Sequence, residues 1–121
     1  MAHFEFVIVK DNKGQVRPSP DFLAKLTAAG RLNIGDTVRF SSPEGQIKVE
    51  IVSGTTPATP FREPGTTITD PNRTYNVAQN GQFSFHCMLK GPGDPGFVGW
   101  PEHGDAAGAD SPTKPPRVVG P

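Results

Sequence analysis

Cysteine is almost absent from this chain: Cys87 stands alone, so no internal disulfide can form and the redox compartment stays open. Long apolar runs are missing too. No stretch approaches eighteen apolar residues, so none reads as a membrane-crossing helix. The N-terminus has no basic stretch leading into an apolar core, so the expectation is a cytoplasmic protein without a secretory signal. Neither sign of charge dominates. Twelve Lys and Arg balance twelve Asp and Glu, and no basic stripe stands out. That argues against nucleic-acid binding, which needs a cationic footprint. Catalytic signatures are also lacking: there is no Gly-x-Ser-x-Gly, no phosphate-cradling glycine loop and no His-Glu-x-x-His. The only histidines are His3, His86 and His103, and only His86 adjoins the thiol. The carboxylates are scattered among turns. The expectation is a protein that is not an enzyme.

What the chain does have is turns and phenylalanine. Glycine and proline contribute 14 residues each, and eight residues are Phe. At 121 residues it is the size of one domain. So many turn formers in one domain favour short strands over long helices. His3 to Val9 alternates Phe4, Phe6 and Ile8, then adds Val7 and Val9, which reads as a strand buried on both faces towards its end. Thr37–Ser41 directs Val38 and Phe40 one way. Ile47, Val49 and Ile51 alternate with Gln46, Lys48 and Glu50, a half-buried strand. Thr74–Ala78 is expected to turn Tyr75 and Val77 inward. Asn80-Gly81 is the strongest hairpin signal in the chain, joining that strand to the next. Phe97–Trp100 reads as a short last strand.

One helix is expected near residues 20–29. Ser19 is a good N-cap, Pro20 suits the first helical position and Asp21 complements the helix dipole. Phe22, Leu23 and Leu26 share a face, and Gly30 suits the C-terminal cap. Gly54 to Asp70, with Pro57, Pro60 and Pro64, reads as a long crossing anchored by Phe61 and Ile68. The whole is expected to be an all-β Greek-key sandwich with one short helix, spanning residues 1–104. Residues 105–121 lose apolar periodicity and read as a Pro/Gly-rich tail, disordered or an interaction arm.

The stretch Phe83-Ser84-Phe85-His86-Cys87-Met88-Leu89 places Phe83, Phe85, Cys87 and Leu89 on one face. An aromatic-x-aromatic-x-Cys strand late in a small β domain resembles the cysteine strand of cupredoxins, the blue-copper fold. The Gly35-Asp36 pair ahead of Thr37–Phe40 is similar to the same family's pattern. The resemblance covers roughly Leu32 to Trp100. An immunoglobulin-like sandwich satisfies the same strand spacing and remains a rival.

Within the family a histidine precedes the strand corresponding to Gln46–Val52, and a second histidine and a methionine follow the cysteine closely. This chain has no histidine between His3 and His86, and none after Cys87 until His103. A type 1 copper site needs two imidazoles and a thiolate with a weak axial ligand. Strand parity also sets Cys87 on one face and His86 and Met88 on the other. The expectation is therefore a copper-free, cofactor-free sandwich in which Cys87 is a small buried hydrophobe. It is expected to act as a binding or structural module through contacts with a protein partner or with itself.

Three other features bear on function. Met1-Ala2-His3 has the spacing by which a free amine, two amides and an imidazole wrap Cu(II) or Ni(II), here read as an accident of the start. Asn72-Arg73-Thr74 is formally a glycosylation sequon, read as chance. In the tail, Pro112, Pro115, Pro116 and Arg117 form a Pro-x-x-Pro-plus-basic pattern like the ligands of SH3-type grooves, and they are the candidate partner-binding residues. The alternative to the binding module is a copper or electron-transfer protein with an atypical site of Cys87 and His103, with His86 or Met88. A weaker third reading is an enzyme subunit whose site a partner completes.

Overall fold

The computed structural model describes residues 2–30, 32–79 and 81–99, together with the backbone pairing of Ala106–Ala107 and Val118–Val119. The chain folds into an all-β sandwich of two sheets with one short helix. Its elements are β1 (His3–Lys10), β2 (Val16–Pro18), α1 (Pro20–Ala29), β3 (Thr37–Ser41), β4 (Gln46–Ser53) and β5 (Thr56–Pro57). There follow β6 (Thr67–Ile68), β7 (Thr74–Asn76), β8 (Gln82–Lys90), β9 (Val98–Gly99), β10 (Ala106–Ala107) and β11 (Val118–Val119).

The first sheet runs β2-β1-β3-β7. Its centre is a parallel pair, β1 on β3, in the register His3↔Thr37 to Val7↔Ser41. The second sheet is built on β4 and β8, antiparallel from Gln46↔Lys90 to Val52↔Ser84. β5 and β6 line the other side of β4. β9, β10 and β11 lie in succession along the other side of β8, opposite Met88–Leu89, Phe85–His86 and Gln82–Phe83. Two pieces of the expected tail therefore pair with the sandwich backbone, and the rest of it lies outside the described residues. Pairing through main-chain groups needs no apolar periodicity, so sequence pattern gives no sign of it.

Strict alternation builds the core. Phe4, Phe6 and Ile8 of β1, Val38 and Phe40 of β3, Ile47, Val49 and Ile51 of β4, and Phe83, Phe85, Cys87 and Leu89 of β8 are all buried. Aromatic rings fill the centre. Phe40 meets Phe6, Phe85, Phe61 and Tyr75 at centroid distances of 4.9, 5.8, 5.9 and 5.9 Å. Most of these contacts are edge-to-face, the favoured aromatic geometry. Phe61 and Ile68 anchor the crossing between β5 and β7 in the core as the sequence suggests.

α1 forms where its caps place it. Ser19 has extended backbone and its hydroxyl accepts from the Phe22 N–H at 3.3 Å. Gly30 closes the helix at φ 83°, and its N–H donates to Leu26 and Thr27 carbonyls. Phe22 and Leu26 are buried, with the Phe22 ring 4.4 Å from that of Phe6. The helix thus covers one margin of the first sheet.

Two expectations change. β7 and β8 do not form the hairpin expected between them, because β7 pairs with β3 in one sheet and β8 with β4 in the other. An Asn-Gly pair marks a turn and does not identify which strands pair. Val7 and Val9 are half-exposed on the outer face of the first sheet rather than buried on both sides of β1.

Candidate functional site

Cys87 is fully buried between the sheets, its Sγ against the Phe85 carbonyl at 3.7 Å. His86 and Met88 lie on the opposite, outer face of β8, across from Glu50 and Lys48 of β4. Burial holds the His86 imidazole below its ordinary pKa, partly countered by the Glu50 carboxylate. The structure therefore splits the proposed ligand set between two faces of one strand. His103 and the tail residues Pro112, Pro115, Pro116 and Arg117 lie outside the described residues. Among the described residues no three His, Cys, Asp or Glu side chains gather as a metal-holding group. The Ala2 N–H, one of the amides the N-terminal metal wrap requires, donates instead to Asp36 Oδ1 at 2.8 Å.

The end of the sandwich beyond Cys87 is tied by charge. Glu44, just before β4, accepts the Lys10 backbone N–H at 2.6 Å. Asp94, in the loop after β8, accepts the Gly91 N–H at 2.8 Å and the Lys10 ammonium at 3.3 Å. These two contacts hold the Asp94 carboxyl below its ordinary range. Ser42 completes the clasp by donating to the Ile8 carbonyl at 2.6 Å. The loop between β3 and β4 and the loop after β8 carry Glu44 and Asp94, joined through Lys10. Gly45 is part of this closure, since a Cβ there would collide with the Lys90 carbonyl.

A second locus lies on the outer face of the first sheet, where sequence reading placed no site. A cleft of about 520 Å³ runs between β1 and α1, lined by His3, Glu5, Val7, Val9, Phe22 and Lys25 among others. That volume falls in the range of small-ligand sites. On its β3 side a polar ladder fixes the rim. Thr37 Oγ1 is 2.7 Å from His3 Nδ1, and His3 Nε2 contacts Glu5 Oε2. Arg39 donates to Glu5 Oε1 through Nε and a terminal nitrogen at 3.0 and 2.8 Å. Burial alone raises the Glu5 carboxyl, but the hydrogen bonds from His3 and Arg39 outweigh it and hold the pKa below its ordinary value.

The ladder joins residues 34 positions apart, so sequence spacing does not reveal it. The available signal was Val7 and Val9, apolar at outward positions of β1. No family model, curated protein or solved structure matches this chain.

Proposed function

We propose that the protein is a copper-free, cupredoxin-like binding module of Greek-key topology that acts through protein–protein contacts and carries no catalytic centre. The observation that carries this reading is Cys87, sealed in the core while His86 and Met88 face away from it. A type 1 site needs its thiolate and imidazoles to converge on one ion. The Lys10–Glu44–Asp94 clasp supports the same reading, because ion pairs and hydrogen bonds join the loops that a metal would otherwise organise. The chain's repeated passage from one sheet to the other, β3 to β4, then β6 to β7 and β7 to β8, supports the Greek-key arrangement.

The test is a Cu(II) titration of the reduced protein followed by visible absorption, with Cys87→Ser and Cys87→Ala as controls. The binding-module reading predicts no thiolate–copper band. A stoichiometric band near about 600 nm, absent from both variants, would overturn it in favour of electron transfer through Cys87 and His103.

A further inference from the structure

The cleft beside α1 is also a strand edge. In a parallel pair, alternate residues direct both backbone groups to the same neighbour. The Thr37 N–H donates to the Ala2 carbonyl at 2.9 Å, so even-numbered residues of β1 serve β3 and odd-numbered ones face away from it. β2 pairs only with Ile8–Lys10. His3, Glu5 and Val7 therefore turn their backbone groups into the cleft, with no strand beside them among the described residues. The Val7 carbonyl takes the Ser19 N–H at 2.7 Å, and the His3 carbonyl takes the Lys25 ammonium. The N–H and C=O of Glu5 and the N–H of Val7 face the open groove. A lysine laid over an edge is a common guard against unwanted strand pairing.

We propose that this groove accepts an extended peptide segment of a partner protein as an added strand on β1, walled by α1. The inference rests on the binding-module reading and gives that reading a surface. Main-chain hydrogen bonds to Glu5 and Val7 supply affinity, and alternate side chains supply selectivity. Glu5 lines the groove with its carboxylate shared between His3 at Oε2 and Arg39 at Oε1, and a basic peptide residue beside it competes with His3 for Oε2. Two positions away, beside Val7, the peptide carries an apolar residue. The intervening residues are small, since Phe22 already packs on Phe6 beneath the groove. A second folded copy is a poor occupant, because α1 walls the same edge of β1 in each copy and the two helices would have to pass each other.

The test uses the full chain labelled with ¹⁵N and two blocked peptides, acetyl-Ser-Val-Ala-Arg-Ala-Ser-amide and its reverse-order counterpart, covering both strand directions. Saturable shifts centred on the Glu5 and Val7 amides are expected with one of them. Exchange at those amides should slow by about tenfold or more at saturation. Replacing the peptide arginine by glutamate should weaken binding by about threefold. The Lys25→Met variant, which removes the edge guard, should bind more tightly. Three results would overturn the proposal. Protection of Glu5 and Val7 in the free protein at every concentration would show the edge already paired. Protection that rises with protein concentration would make a second copy the occupant. Shifts that are absent, or lie elsewhere, with both peptides would remove the groove as a strand acceptor. None of these touches the copper titration, so the groove can fail while the binding-module reading stands.

Discussion

Single side chains carry much of the specificity of this fold. Asp36 is buried and serves two main-chain donors, Ala2 N–H and Asn33 N–H, both at 2.8 Å. Its own backbone pairs with Val77. It ties the start of β1 to the turn before β3 and to the end of β7, which is why an Asp follows Gly35. Truncation leaves two donors unsatisfied, so Asp36→Ala should lower the unfolding free energy by about 3 kcal/mol in urea titrations. Asp36→Asn, which keeps an acceptor, should cost less. Phe40 is the hub of the aromatic core, and Phe40→Ala should cost about 4 kcal/mol by the same measurement. A loss below about 1 kcal/mol in either alanine variant would contradict the packing described.

Elements meet solvent at their edges, and each edge is managed differently. β7 is guarded by the segment before it. Arg62 N–H donates to the Asn76 carbonyl, and Glu63 accepts from the Asn76 N–H at 2.7 Å and side-chain amide at 2.8 Å. Burial pushes the Glu63 carboxyl up, yet the Asn76 hydrogen bonds outweigh it and keep the pKa low. Glu63→Ala should cost about 2 kcal/mol and speed exchange at the Asn76 amide. Glu63 and Asp94 both have folded pKa values below their unfolded ones, so the stability they add is present above about pH 4.5 and is lost as pH falls through the folded values. His86 acts earlier in an acid titration. Its pKa is lowered by burial, so the unfolded chain binds the proton first and stability declines as pH falls below about 6.5. His86→Gln should flatten the urea midpoint between pH 7 and pH 5 while leaving the steeper loss below pH 4.5. An unchanged slope in that variant would assign the decline to other groups.

At the scale of the whole molecule, the sequence shows its local rules and hides its long-range ones. Alternation in β1, β3, β4 and β8, and the Ser19, Pro20 and Gly30 signals of α1, read directly because each depends on near neighbours in the chain. β2 was invisible, since three residues ending in Pro18 form too short a pattern. Sheet membership was equally hidden. Asn80-Gly81 reads as a hairpin from the sequence, and only the pairing of β7 with β3 and of β8 with β4 shows that the flanking strands belong to different sheets. Of the site residues named from sequence, Cys87, His86 and Met88 sit on the faces that strand parity gives. The His3–Glu5–Thr37–Arg39 ladder and the β1 groove were not legible, because they arise from a parallel pairing across 34 positions. No described helix is long and apolar enough to cross a membrane. The picture is a sandwich in which β8 holds Cys87 in the core and β1 borders the cleft beside α1.

The claim beneath all of this is that Cys87 is a sealed core residue. Its most direct test is the rate of reaction of the native thiol with an aromatic disulfide reagent, measured over a range of urea below the unfolding transition. Reaction that needs global opening has a rate whose logarithm rises with urea along the slope of the unfolding equilibrium. The structure predicts that behaviour, with no prompt phase in native buffer. A stoichiometric, urea-independent reaction in native buffer would place the thiol within reach of solvent and metal, and would contradict the account.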